Sequence, residues 1–341
     1  MAFTDLSNAQ SMQLTNALQV WQGVHSAKSL AHAHRGSMKW RTINETDYLL
    51  HVSPQGSQHS LGPRDSATEK VHDKFVKGKI ESESRLKSLK EQLKQANAVN
   101  RALRVGRVPN ILIDVLNSIE RAGLKDHLMV IGANALYAYE TQCAVRFDNA
   151  VVATLDLDIL WDSRKSIKLA ITKEIQEEGL LGILKKADKS FELIEDQKYT
   201  AINSEGYMVD LIRRGKHDLV LDEDYPKSLS KMPDDIWAVK IPTADWLLSV
   251  PKFREVVVGV SGKMAEMTTV DPRAYVIYKT WLSKKNDREA QKKGRDFAQA
   301  KAVADLITQR MPHLDVSQIH ALPFDLREQA KTHFEKANKA S

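Results

Sequence analysis

The sequence predicts an α+β protein: a small mixed β-sheet flanked by helices, with an N-terminal helix and β-hairpin region before it and a C-terminal helical layer after it. Three observations predict this. Short apolar runs at residues 128–131, 154–161 and 206–213 have the length and β-prone composition of strands. Helix-favouring stretches separate and follow them, one opening at Asp271-Pro272 with Asp as N-cap and Pro in the first turn. Charge also changes character along the chain. Residues 1–105 hold 15 Lys+Arg against 9 Asp+Glu, residues 106–341 hold 35 of each, and the net +6 therefore belongs to the first third. At 341 residues the chain has room for two or three domains. These signals divide it into a basic N-terminal region (1–105), a core that carries the chemistry (106–235) and a hairpin with a helical subdomain (236–341).

Composition excludes several classes. A single cysteine, Cys143, rules out a disulfide framework and a cysteine-based zinc site, and it is expected to pack in the core. No apolar run approaches the ~20 residues of a membrane span, and no basic segment followed by an apolar stretch opens the chain. A soluble, cytoplasmic protein with no membrane partner is expected.

In chain order, residues 9–30 place Met12, Leu14, Leu18, Val20, Trp21 and Val24 at the spacing of a short amphipathic helix. Residues 39–43 and 48–52 read as a hairpin around the polar link 44–47, with a turn at 54–57, and Ser60-Leu61-Gly62-Pro63 closing the unit. Lys39, Trp40, Arg41, Tyr48 and Arg64 set cations beside aromatic rings, which suits phosphate contact and base stacking; alternatively Trp40 and Tyr48 form only a small local core. Residues 66–99 read as a solvated polar helix. His32 and His34 have no partner at metal-ligand spacing and are expected on the surface.

Residues 128–131 then form a buried strand, Gly132-Ala133-Asn134 a turn, and residues 135–142 a helix. Such a junction presents free backbone N–H groups and the positive end of a helix dipole, an arrangement that binds anions; a tight turn alone would also explain the glycine. In the strand 154–161, Asp156 and Asp158 are two residues apart and share a face, with α-carbons ~6.5–7 Å apart. Either a cation such as Mg²⁺ relieves their repulsion, or the strand lies at a sheet edge with both in water. Asp210 interrupts the apolar run 206–213 in the same way. If that strand pairs beside the first, Asp210 reaches the same pocket; elsewhere in the sheet it is a solvated residue. Three carboxylates together would hold two divalent ions for in-line displacement at phosphorus.

The strand, Gly turn and helix, the strand with Asp156 and Asp158, and the later strand with Asp210 together resemble the DNA polymerase β-like nucleotidyltransferase superfamily. Over residues 36–310 the chain is also similar to a bacterial family of stand-alone nucleotidyltransferase-fold proteins of uncharacterised substrate. Ser60-Leu61-Gly62, Gly132-Ala133-Asn134-Ala135-Leu136 with Glu140, and the run 292–300 carry that likeness. The resemblance implies a nucleotidyltransferase fold and Mg²⁺ (or Mn²⁺) held by Asp156, Asp158 and Asp210. It also implies transfer of a nucleotidyl group from a nucleoside triphosphate such as ATP to a hydroxyl acceptor: RNA, a protein or a small molecule. Asp210 would help deprotonate the acceptor, and Gly132, Ala133 and Asn134 would hold the β and γ phosphates. A helical layer after the sheet often supplies a cation to the triphosphate in this superfamily. Residues 279–301 hold eight basic and three acidic residues, with Lys279 the leading candidate and Lys293 and Arg295 behind it, the latter two alternatively on a solvated basic face; Asp296 is expected to pair with a neighbouring base as a structural residue. Two alternatives share the fold: a non-catalytic nucleotide- or nucleic-acid-binding module, and the toxin of a toxin–antitoxin pair.

The sequence departs from the superfamily pattern at two points. Ala133 stands where a second Gly or a Ser is usual, so Asn134 is left to donate through its amide or to cap the helix. The interval from Gly132 to Asp156 is long, and residues 145–153 are expected to form a loop near the pocket mouth. The segment Gly259-Val260-Ser261-Gly262-Lys263-Met264 lacks the first Gly and the Ser/Thr of a P-loop, and reads instead as a hairpin turn.

Overall fold

The structure, a computed structural model, describes residues 2–152, 154–162, 173–215, 228–241, 243–315 and 318–340. The chain forms two compact units: Ala9–Arg104, and Met1–Asn8 together with Val105–Ser341.

A short strand β1 (Phe3–Asp5) begins the chain, and helix α1 (Asn8–Ala33) leads into the Ala9–Arg104 unit. That unit continues with strands β2 (Ser37–Ile43), β3 (Thr46–Val52) and β4 (Gln58–Pro63), then helix α2 (Ser66–Ala102). Leu14, Ala17, Trp21, Val24 and Ala27 recur every three or four residues, and these are the residues α1 buries. The Gln13 side-chain amide ties α1 to α2: its Nε2 donates to the Asn100 side-chain oxygen at 2.9 Å. Asp65 caps α2 in a capping box with Thr68. Helix α2 buries only Thr68, Ser82 and Asn100, so the charged helix read from the sequence is solvated along most of its length.

The segment 60–63, read from the sequence as closing the hairpin unit, does so as part of a third strand, β4. The turn at 54–57 reverses the chain, with Ser53 N–H donating to the Ser57 carbonyl at 2.8 Å, and the returning residues pair Ser60 with Leu50 and Gly62 with Leu49. Leu49 and Leu50 are both buried in β3, which is now flanked on either side, so the hairpin is a three-stranded sheet.

The larger unit follows with α3 (Asn110–Arg121), β5 (Leu128–Ile131), a 3₁₀ turn (Gly132–Ala135), α4 (Leu136–Cys143), β6 (Val145–Phe147), α5 (Asn149–Val152) and β7 (Asp156–Trp161). Next are α6 (Lys173–Ala187), β8 (Glu192–Ile194), β9 (Gln197–Ile202), β10 (Met208–Arg214), β11 (Val239–Ile241) and α7 (Ala244–Ser249). The hairpin β12 (Lys252–Val258) and β13 (Met264–Val270) precedes α8 (Pro272–Lys284), α9 (Ala290–Arg310) and α10 (Phe324–Ala340). One mixed sheet organises the unit in the order β12-β13-β5-β7-β10-β9-β8, with β11 beside the end of β10. β7 is antiparallel to β5 and parallel to β10. The apolar runs read as strands are therefore its central strands, and Leu157, Ile159, Leu160, Val209 and Leu211 in them are almost fully buried. The Gly259–Lys263 segment is the β12–β13 turn, as its sequence indicated, with Gly262 at φ +82°.

Residues 145–153 also depart from expectation. They do not form a loop as far as they are described: β6 and α5 occupy 145–152, and Ala153 lies outside the described residues. A buried carboxylate fixes them. Glu140 accepts the Phe147 N–H at 2.7 Å and forms a two-pronged pair with Arg107, whose guanidinium also donates to the Phe147 carbonyl at 2.8 Å. Residues 3–5 carry no strand pattern in the sequence, yet β1 pairs antiparallel with β6. Phe3 sets its ring edge-on to Phe147 at 6.2 Å, and Arg310 bridges Asp5 at 2.7 Å.

The chain leaves and re-enters this unit at nearby points: Leu6 N–H donates to Ala144 O, and Arg146 donates to Val105 O. Replacing Ala9–Arg104 with a short Gly/Ser linker should therefore leave a unit that melts cooperatively. Removing residues 1–105 also strips β1 and exposes the site of Phe3, and should lower unfolding stability by a further ~2 kcal/mol. Chemical denaturation of the two truncations makes the comparison; equal stability would show that β1 adds nothing.

Candidate active site

Strand register builds the site. Asp210 in β10 is the direct partner of Asp158 in β7, and Met208 is the partner of Asp156. In a parallel pair, directly opposed residues point to the same face, and alternation along β7 puts Asp156 there too. With strands ~4.8 Å apart, three carboxylates crowd one patch. The alternative of a sheet-edge strand does not hold, because β5 and β10 flank β7 on both sides.

The crowding has an electrostatic signature. Burial, then the charges of Asp210 and Asp156, push the Asp158 carboxyl up to about 6, while Lys279 and Arg295 pull the other way. Burial also raises Asp210, and the Thr200 hydroxyl, donating to Asp210 Oδ1 at 2.5 Å, offsets part of that rise. Thr200 lies in β9 opposite Asp210. Nothing in the sequence marked it, since its role depends on a strand pairing that the sequence does not specify.

Gly132 is required where it stands. Its φ of +72° is left-handed, and a Cβ there would lie 2.3 Å from Asp158 Oδ2. The turn thus presses its backbone against the central carboxylate. Ala133 is buried beside it. Asn134 is buried and neither caps α4 nor keeps its amide free: Nδ2 donates to the Asp156 carbonyl at 2.7 Å. It fastens the turn to the start of β7.

Lys279 is buried in α8 and does not stand open to a ligand. Its Nζ donates to Asp296 Oδ1 at 2.7 Å, and Asp296, itself 1% exposed, also receives Arg288. Burial lowers the ammonium's pKa, and Asp296 opposes that shift. Arg295 is partly buried within electrostatic reach of Asp158. Lys293 points its ammonium toward the Asn286 carbonyl. Lys279 and Arg295 thus join the carboxylates by their fields. Burial pushes the Cys143 thiol up to about 11, which leaves little thiolate for nucleophilic chemistry.

Asp156, Asp158 and Asp210 are the residues that could hold a divalent cation such as Mg²⁺ or Mn²⁺. Asp158 and Asp210 each have the charged form penalised, so a cation would relieve both, and Mg²⁺ uses one or two carboxylates together with substrate phosphates. Among the described residues no group of three or more His, Cys, Asp or Glu is placed to hold a metal ion, so Asp156, Asp158 and Asp210 share a face without forming a preformed cage. No helix of the described residues is long and apolar enough to cross a membrane. A family model described as Nucleotidyltransferase matches residues 110–322, from the start of α3 to just before α10. No curated protein and no solved structure matches the chain.

Asp158 titrates near 6 in the fold against an ordinary 3.8, so the penalty on its ionised form is full above pH 6 and is relieved as pH falls through that value. In metal-free buffer, Asp158→Asn should raise stability at pH 7.5 by on the order of 1–2 kcal/mol, and the gain should shrink toward pH 5. Melting both proteins across that range tests this; parallel profiles would contradict it.

Proposed function

We propose that this chain, which belongs to a nucleotidyltransferase family, moves a nucleoside monophosphate group from a nucleoside triphosphate to a hydroxyl acceptor, with release of pyrophosphate, at the face formed by Asp156, Asp158 and Asp210. The observation that carries the reading is the register that sets Asp158 opposite Asp210 with Asp156 on the same face. A likeness to the DNA polymerase β-like superfamily is supported by the order of these elements: strand, Gly turn, helix, strand with two Asp, and an adjacent parallel strand with the third.

Each residue has a distinct task in this reading. Asp156, Asp158 and Asp210 would hold Mg²⁺ or Mn²⁺, which when bound would supply neutralisation of charge on the phosphate oxygens and a lower pKa for the attacking hydroxyl. Asp210, oriented by Thr200, takes up the acceptor proton. The backbone of Gly132, Ala133 and Asn134 offers N–H groups to the β and γ phosphates. Lys279 and Arg295 supply positive potential beside the triphosphate, Lys279 from its ion pair rather than by contact.

The acceptor best supported is a polyanion such as RNA, ahead of a protein or a small molecule. The Ala9–Arg104 unit holds 15 Lys+Arg against 8 Asp+Glu, whereas the remainder of the chain holds 35 against 36. In that unit Arg64 lies over the Trp40 ring at 5.0 Å, a cation and an aromatic surface side by side.

Incubating the protein with each labelled nucleoside triphosphate, Mg²⁺ or Mn²⁺, and a cell lysate tests the proposal and identifies the acceptor. Asp158→Asn and Asp210→Asn should each cut label transfer by about 100-fold or more while leaving the circular dichroism spectrum unchanged. Undiminished labelling by folded variants would place the chemistry elsewhere.

A further inference from the structure

One large aromatic side chain of the sheet unit stands out of the core on a firmly held segment. Trp237 is 40% exposed and lies just before β11. Its N–H donates to the Lys198 carbonyl in β9 at 2.8 Å, and it pairs with Ser228 as an isolated bridge. Two residues earlier Asp235, 2% exposed, accepts the Ser230 hydroxyl at 2.7 Å and the Leu181 N–H at 3.0 Å. The backbone is thus fixed while much of the ring stays in water, where apolar surface is unfavourable.

Trp237 lines a cavity of about 400 Å³ together with Lys198, the start of β11, and Glu195 and Asp196 in the β8–β9 turn. Small-ligand sites measure roughly 300–1,000 Å³. The Lys198 ammonium lies over the Trp237 ring, 4.9 Å from its centre. Strand geometry ties this contact to the carboxylates. Lys198 and Thr200 are two residues apart in β9, so both leave the sheet on one face, with α-carbons ~6.5–7 Å apart. Thr200 meets Asp210 on that face. The contact between Lys198 and Trp237 therefore rises from the face that bears the carboxylates, one step further along β9.

The lining selects the guest. A flat, exposed ring stacks best on another flat ring. Lys198 can only donate, and Glu195 and Asp196 accept, so the guest needs acceptor atoms and N–H donors along its edge. Two carboxylates at the rim disfavour a phosphate chain inside. A nucleobase meets all three conditions: its ring nitrogens and carbonyl oxygens suit the ammonium, and its amino group suits a carboxylate. We infer that this cavity is a nucleobase subsite, in which the base stacks on Trp237 with Lys198 and the turn carboxylates at its edge, beside the carboxylate face. The inference rests on the nucleotidyltransferase reading, and its base is that of the nucleoside triphosphate or of a nucleotide in an RNA acceptor.

Calorimetric titration of ATP, a short oligoadenylate and inorganic tripolyphosphate, each with Mg²⁺, into wild type, Trp237→Ala and Trp237→Phe tests it. Trp237→Ala should weaken ATP or oligoadenylate about tenfold. Trp237→Phe keeps an aromatic platform and should retain most of the affinity. Tripolyphosphate, which has no base, should bind all three proteins alike. A loss confined to ATP assigns the base to the donor nucleotide, and a loss confined to oligoadenylate assigns it to the acceptor. Lys198→Ala, at an exposed position, probes the cavity without removing the ring, and should weaken the same ligand several-fold. If the wild type binds ATP or oligoadenylate and neither Trp237→Ala nor Lys198→Ala alters that binding, the subsite falls while the nucleotidyltransferase reading stands. Equal weakening of tripolyphosphate by Trp237→Ala would show that the ring acts without a base, and overturns the inference too. If the wild type binds none of the three ligands, the nucleotidyltransferase reading falls with it.

Discussion

Repulsion among three carboxylates on one sheet face is the constraint around which the larger unit is arranged. The parallel pairing of β7 and β10 leaves no freedom to separate Asp158 from Asp210, because a one-residue slip would turn every apolar side chain of the strand to the wrong face. Leu157, Ile159, Val209 and Leu211 are buried to within 1% of completely, so the core that fixes the register also enforces the crowding.

The surroundings moderate the repulsion without removing it. Lys279 and Arg295 favour the ionised form of Asp158, and Thr200 does the same for Asp210. Lys279 owes its place to Asp296, which also takes Arg288, so the helical layer presents a buried cluster with one more cation than anions. On the other side of the turn, Glu140 and Arg107 pin β6 while Asn134 holds the turn to β7. Buried ion pairs of this kind add little net stability, but losing one partner leaves a charge stranded. Their contribution here is to hold backbone segments in place around the carboxylates.

The sequence made the carboxylates legible because a period of two and an apolar background leave few readings of Asp156-Leu157-Asp158. It could not say which strand lies beside β7, and the meaning of Asp210 waited on that pairing. Gly132 was visible as a turn, but its reason, that a Cβ there would collide with the Asp158 carboxylate, belongs to tertiary packing. Lys279 stood out by its apolar helix, while the carboxylate that claims it sits 17 residues away on another helix. Residues 60–63 were read only as closing the hairpin unit, and 145–153 as a loop because the interval from Gly132 to Asp156 is long. Residues 60–63 pair with β3 and residues 145–147 with β1. Short edge pairings of this sort leave almost no periodic trace.

In the proposed function, a divalent cation would relieve what the register imposes. The most direct measurement is the melting temperature of the wild type and of Asp158→Asn at pH 7.5, with ATP, as Mn²⁺ is titrated in. The account predicts that the variant starts higher and gains little, while the wild type starts lower and rises by several degrees, so that the two curves converge or cross. Equal rises, or a wild type indifferent to Mn²⁺, would contradict it.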